Sequence, residues 1–355
     1  MLLEGKTILV TGGTGSLGKI LVRRILSAER GTPRKIVVFS RDEAKQHDMR
    51  LSYLQRAVTT DEVIYRNFMQ TLEFRIGDVR DYAAVCSAVR GADIVINAAA
   101  LKQVPSCEYF PVEAMLTNCQ GASNIVRAIG ENSLPVDTVL AVSTDKACKP
   151  VNVMGMTKAL QERIVVAANI LSPSTRYIGV RYGNVLASRG SVIPLFHSQI
   201  ASGGPVTITS PDMTRFLLSL NQAVDTIFAA LEGARRGEIY VPIAPSATVA
   251  NLARALIGDR AIETRIVGVR PGEKMHEVMI SEEEIHHCVR RGNWYAIRSM
   301  LPELAPDDDS HPAGLQREFS SADNAIDFEA TVELLRAHRL LVGQAFEYED
   351  GELLR

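Results

Sequence analysis

Short apolar runs alternate with amphipathic stretches through the first two-thirds of the chain. The runs Thr7 to Thr11, Lys35 to Phe39, Leu72 to Ile76, Asp93 to Asn97, Thr138 to Ser143 and Tyr177 to Arg181 have strand length and β-branched content. Between the first two, Leu17, Ile20, Leu21, Val22, Ile25 and Leu26 recur at helical spacing, so Leu17 to Leu26 is predicted to be a helix with one apolar face. Repeated strand–helix–strand units predict an α/β fold, a doubly wound parallel sheet covered by helices on both faces. After Asn184 the rhythm gives way to Pro- and Gly-rich loops such as Ser202-Gly-Gly-Pro205 and Arg270-Pro-Gly272. The chain therefore divides into residues 1–184, whose sheet later segments complete, a smaller lobe mainly from 185–340, and a charged tail over 341–355. The stretch Ala305 to Pro312 reads as a loop, and the charge of the tail gathers from Glu347 onward.

Composition narrows the class without changing the fold. With 355 residues and 46% hydrophobic content, the chain can bury a sizeable core. Lys and Arg number 39 against 41 Asp and Glu, a balance that argues against nucleic acid and suits a small-molecule enzyme. Five scattered cysteines with no CxxC pair predict reduced thiols, hence a cytoplasmic protein. The first strand begins almost at once with no signal-peptide pattern before it, and no apolar run approaches the roughly 18 residues of a membrane span.

The first chemical signal follows the first strand. Thr11-Gly-Gly-Thr-Gly-Ser-Leu-Gly18 opens the predicted helix, with Gly12, Gly15 and Gly18 in GxxGxxG spacing. Strand, glycine turn and helix in that order make a dinucleotide site of the Rossmann kind. The backbone N–H groups around Thr14, Ser16 and Leu17 would meet a pyrophosphate at the helix N-terminus. Ser40 and Arg41 stand where an acidic residue would accept the 2′-hydroxyl of NAD. Arg41 can pair with a 2′-phosphate, which favours NADP, although Asp42 leaves NAD open. Asp78 and Val79 after the third strand suit the adenine edge, and the small side chains of Ala98, Ala99 and Ala100 after the fourth suit a dinucleotide lying on backbone.

Taken with the glycine signature, the strings Asn97 to Pro105, Ser143-Thr-Asp-Lys146, Arg181-Tyr-Gly-Asn184 and Arg270-Pro-Gly-Glu-Lys274 resemble bacterial UDP-N-acetylglucosamine 4,6-dehydratases of the extended short-chain dehydrogenase/reductase type. The resemblance covers residues 5 to 285. Ala100 to Glu108 and Ser188 to Phe196 look like the soluble capsule-type branch, which implies inversion at C5 and a homo-oligomer. Ordinary members of that superfamily carry Tyr four residues before Lys. Here Asn152-Val-Met-Gly-Met-Thr-Lys158 puts Met154 in the Tyr position, as the resembling dehydratases also do. Met154 and Lys158 share a helix face, so Lys158 is expected at the nicotinamide ribose. Proton transfer then falls to the end of the fifth strand. Thr144 would bond the sugar O4, Asp145 would handle the O4 and O6 protons, and Lys146 would be the C5 base, its pKa lowered by burial and by Lys158.

A UDP-sugar also needs cations and amides for its diphosphate. Lys102, Asn184, Arg215, Arg270 and Glu273 are the candidates, and the resemblance implies Asn184 and Arg270 at the diphosphate and Glu273 at the uridine ribose. His197, His276 and the pair His286–His287 have no metal-site spacing, and no metal is expected. Two other readings stay open: a nucleotide-sugar 4-epimerase, and a catalytically silent NADP-binding regulator in which Met154 is the inactivating change.

Overall fold

The computed structural model describes residues 1–55, 62–186, 191–304 and 314–343. The predicted loop at 305–312 lies outside them, as do most of the predicted tail and Ser188 to Gly190 of one resembling string. The strands in chain order are β1 Thr7–Thr11, β2 Lys35–Ser40, β3 Leu72–Ile76, β4 Ile94–Asn97, β5 Thr138–Thr144, β6 Arg176–Tyr182, β7 Val206–Ile208 and β8 Thr214–Phe216. They continue with β9 Ile239–Pro242, β10 Ser246–Thr248, β11 Thr264–Ile266, β12 Val278–Ile280, β13 Cys288–Arg291, β14 Trp294–Ile297 and β15 Phe319–Ser320.

Nine of these form one sheet in the order β13-β14-β9-β6-β5-β4-β1-β2-β3, with β3 through β9 parallel and β13 and β14 antiparallel. The doubly wound α/β class is therefore the one the sequence predicted. Alternation along β1 shows why both faces are covered. Ile8 and Val10 enter a core shared with Leu21, Val22 and Ile25, while Leu9 enters a second core with Val37 and Phe39 on the other face. The strand order reverses between β1 and β4, the switch point beyond which ligands bind in open parallel sheets.

A third core, with Ile193, Phe196, Ile200, Leu252 and Leu256, holds the smaller lobe together. That lobe is not a separate stretch of chain, because β9, β13 and β14 return from it into the main sheet. One buried cluster fixes the return. Arg181 on β6 binds Glu162 of the helix Val153–Leu171 at 2.7 and 3.0 Å and Glu284 of the helix Glu282–Ile285 at 2.7 and 2.8 Å, and also donates to the Met279 carbonyl. Within the Arg-Tyr-Gly-Asn string, Arg181 thus joins three elements, and its guanidinium is spent inside the protein. All five cysteines are free.

Candidate active site

The glycine turn is built for close backbone approach. Gly12 has a φ of +66°, and a Cβ there would lie 2.7 Å from the Ala99 nitrogen. Only glycine lets the end of β1 cross the segment that leaves β4. Thr11 Oγ1 seals that crossing, donating to Asn97 Oδ1 at 2.7 Å and accepting from the Ala99 N–H. The helix Ser16–Leu26 then starts at Gly15 with no side-chain cap, which leaves its first N–H groups facing outward. Gly18 packs on Gly13, and Ala98 to Ala100 stay half-buried beside the turn. This bare, concave backbone fits a dinucleotide pyrophosphate. Ser40 lies next to Thr14, their hydroxyls 3.3 Å apart, and Arg41 is exposed with its guanidinium 3.5 Å from Asp78. The Asp78 carboxylate is also held by the Arg80 guanidinium at 2.7 Å, and Val79 is buried.

At the carboxyl end of β5 the chain turns through the short 3-10 segment Asp145–Ala147, which the helix Val153–Leu171 presses from above. Gly155 makes that contact possible, since a Cβ there would sit 2.2 Å from the Lys146 carbonyl oxygen. Thr144 Oγ1 donates to Asp145 Oδ1 at 3.0 Å. The Lys146 ammonium reaches Asp145 Oδ1 at 3.0 Å, Asn184 Oδ1 at 3.0 Å and Glu277 Oε1 at 3.1 Å. Three acceptors match the three protons of an ammonium. Asp145 and Glu277 are buried, yet Asp145 Oδ2 and Glu277 Oε2 have no partner among the described residues.

Charge in this cluster departs from expectation at one point. Burial alone would push Lys146 down, but the carboxylates of Asp145 and Glu277 outweigh it and hold the lysine above its ordinary value. The expected lowering through Lys158 does not occur, because Lys158 points elsewhere: its ammonium donates to the Val142 carbonyl at 2.7 Å and to Gln161 at 2.9 Å. Burial brings Lys158 itself down to about 8. Asp145 is raised by burial and then by Glu277, against the pull of Lys146. Glu277 is lowered, burial being overcome by Lys146 and Arg215.

Met154 is buried in a small apolar cluster with Cys107, Ala114, Leu101, Val104 and Val153. Nearby, Asn118 clamps the backbone of Leu101 through its N–H at 2.9 Å and its carbonyl at 3.0 Å, from a π-helical turn over Leu116–Gln120. Such turns recur at functional sites.

The expected sugar-nucleotide residues divide into two groups. Asn184 and Arg215 join the Lys146 cluster; Arg215 is buried and donates to the Thr214 and Met275 carbonyls. Arg270 and Glu273 form an outer turn, Arg270 N–H donating to Glu273 Oε2 at 3.3 Å, and Lys102 is exposed. The outer turn is tied to the segment that follows β5: Asn152, which caps the long helix, donates to the Gly272 carbonyl at 2.8 Å, and Lys274 donates to the Cys148 carbonyl at 2.7 Å. Sequence reasoning missed Glu277 and Asn118. A lone carboxylate directly before the buried run Val278-Met-Ile280 was the available sign of the first; an amide inside an ordinary helix pattern gives no sign of the second. His197 bonds the Leu340 carbonyl and His276 the Thr214 hydroxyl, and no group of His, Cys, Asp and Glu among the described residues is arranged to hold a metal. Among those residues no helix is long and apolar enough to cross a membrane.

Known proteins place this chain in a family. A curated relative named UDP-glucose 4-epimerase, from Rickettsia conorii, is 44% identical over 297 residues, 82% of each chain. Among solved structures, Pen from Bacillus thuringiensis is 32% identical and superimposes with a TM-score of 0.83 over 96% of this chain and all of that one. DesIV, a dTDP-glucose 4,6-dehydratase from Streptomyces venezuelae solved with NAD and TYD bound, shares the fold at 21% identity and a TM-score of 0.63, covering 76% of this chain and 86% of that one. The family described as polysaccharide biosynthesis protein matches residues 8–299. The chain belongs to that polysaccharide biosynthesis protein family and has the extended short-chain dehydrogenase/reductase fold.

Proposed function

We propose that the protein is an NADP-dependent 4,6-dehydratase of a UDP-N-acetylhexosamine, with UDP-N-acetylglucosamine the favoured substrate. Its product would be a 4-keto-6-deoxy sugar nucleotide for surface polysaccharide or glycoconjugate synthesis. Inversion at C5 is carried by the resemblance of Ala100 to Glu108 and of the string ending at Phe196. The observation that carries the reaction class is the buried group Thr144, Asp145, Lys146 and Glu277 beyond β5. A 4-epimerase needs one centre that takes the O4 proton and gives it back. Dehydration needs a second, for C5 and O6, and here a carboxyl and an ammonium lie side by side.

The bare N-terminus of the helix Ser16–Leu26 would hold the cofactor pyrophosphate, and Arg41 beside Asp78 would meet a 2′-phosphate. When bound, the nicotinamide supplies the hydride acceptor for C4 and the hydride donor for C6. Thr144 Oγ1 bonds O4 and passes its proton to Asp145. A buried carboxyl with a raised pKa suits a carrier that takes a proton and then delivers it to O6 as water leaves. Lys146, once neutral, removes the C5 proton, and after C6 has received hydride a solvent-exchangeable proton returns to C5 on the opposite face. Lys158 keeps one proton beyond its bonds to Val142 and Gln161, enough for a ribose hydroxyl. Arg270, Glu273 and Lys102 would take the diphosphate and uridine.

The names of the Rickettsia relatives favour a second reading, 4-epimerisation. Incubation with UDP-N-acetylglucosamine and NADP in heavy water separates the two. The dehydratase product is lighter by one water and carries deuterium at C5, whereas an epimerase product keeps its mass and changes only C4. Lys146→Ala should abolish C5 exchange; exchange retained in that variant refutes the lysine's role.

A homo-oligomer is part of the same proposal. Its support is the outer face of the helix Val153–Leu171, where Met156 and Leu160 are each about half exposed, beside the exposed Val112 and Met115.

A further inference from the structure

Lys146 presents a difficulty for the reaction proposed above, on which this inference rests. A base must be neutral, yet its ammonium has an acceptor for every proton. Asp145 accounts for one acceptor and already serves O4 and O6. Glu277 accounts for another, and among the described residues its side chain hydrogen-bonds nothing else. It directly precedes β12, and its position is fixed through the backbone: its N–H donates to Ser321 Oγ at 2.9 Å, and its carbonyl accepts from the Ser321 N–H at 2.8 Å. Ser321 Oγ in turn lies 2.7 Å from Thr214 Oγ1, which lies 2.8 Å from His276 Nδ1. The carboxylate at the end of this scaffold is 2% exposed and touches Lys146 through Oε1 alone, leaving Oε2 without a partner among the described residues. A buried carboxylate kept only for stability would have both oxygens bonded. A half-satisfied one, aimed at a working lysine, points to function.

We propose that Glu277 is the positioning residue that holds Lys146 by its ammonium and decides the pH at which that lysine becomes a base. The charged groups facing the pair are few. Asp145 and Glu277 favour the ammonium, and Arg215 from β8 opposes it. Lys274 acts on Glu277 from the segment between β11 and β12. Asn184 is a neutral acceptor. Removing the Glu277 charge takes away one of the two carboxylates that hold the proton on Lys146, so the lysine must lose it more readily.

The test compares wild type, Glu277→Gln and Glu277→Asp, each with cofactor bound. Two quantities are followed from pH 5 to 10: C5 deuterium exchange in UDP-N-acetylglucosamine, and modification of Lys146 by acetic anhydride, read in peptide mass spectra. Glu277→Gln should move the acid limb of both profiles down by at least one pH unit, a tenfold change in proton affinity, with KM little changed. Glu277→Asp keeps the charge and should restore the wild-type limb even if kcat falls. Limbs that coincide in wild type and a folded Glu277→Gln variant, judged by its melting curve and cofactor affinity, overturn the proposal. If wild type removes no water from the substrate, the dehydratase reading fails by itself, and the acetylation profile of Lys146 still decides the role of Glu277.

Discussion

Replacing Arg181 by Met tests whether the buried Arg181–Glu162–Glu284 cluster holds the two lobes together. Met fills much of the same volume but abandons two buried carboxylates and the Met279 carbonyl. Removing one partner of a buried ion pair costs about 3–5 kcal/mol, because the other charge stays buried without compensation. For a chain of this length, at about 2 °C per kcal/mol, the melting temperature at pH 7.5 should drop by roughly 6–10 °C. The pH dependence supplies the sharper check. In the wild type, burial pushes Glu284 up, but the charge and hydrogen bonds of Arg181 prevail and hold it below its ordinary value. That arrangement contributes stability at neutral pH and loses it as the pH falls through the depressed folded value. In the variant burial is opposed only by the Ser281 N–H and the more distant Arg163 charge, so the carboxyl's folded pKa rises and its penalty shrinks on acidification. The gap between wild type and Arg181→Met should therefore narrow from pH 7.5 to pH 5, measured by circular-dichroism melts and urea titration. A gap below about 0.5 kcal/mol at pH 7.5, or one that widens on acidification, refutes the reasoning.

Two further outcomes follow from the surface. Arg41→Ser removes the guanidinium expected at the 2′-phosphate, and loss of a charged hydrogen bond of about 1.5–3 kcal/mol should lower the NADP-over-NAD affinity ratio by at least about tenfold, measured by titration calorimetry; an unchanged ratio argues that Arg41 serves only Asp78. Leu160→Glu places a charge on the apolar outer face of the long helix and should reduce the sedimentation coefficient to that of a monomer, whereas an unchanged value removes that face as the contact.

Legibility in the sequence followed how local each feature is. The strand boundaries of β1 to β6 fell within a residue of the apolar runs, because a buried parallel strand declares itself by composition alone. The glycine turn was readable for the same reason: strand, turn and helix are consecutive. Asp145 and Lys146 were readable as chemistry but not as charge. Their neighbour Glu277 is separated from them by some 130 residues, and only the return of the chain through β12 brings it to 3.1 Å. The expected coupling to Lys158 failed on direction: it lies in the second turn of the helix and sends its ammonium to the Val142 carbonyl of β5. Arg181 sat in a recognisable string that gave no sign of its task, because its two carboxylate partners belong to other elements that spacing does not pair with it.

The return of β9 and β14 into the main sheet also bears on how the chain is made. β6 pairs with β5 on one side as soon as both have left the ribosome, but its other edge waits for β9, ~60 residues later, or several seconds at ordinary synthesis rates. For that interval the nascent protein carries an open, apolar parallel edge and an Arg181 whose partner Glu284 has not been synthesised. A premature stop in the second half of the message would thus yield a sticky fragment, not a smaller working protein, and chaperone attendance should be heaviest while residues 185 to 284 emerge.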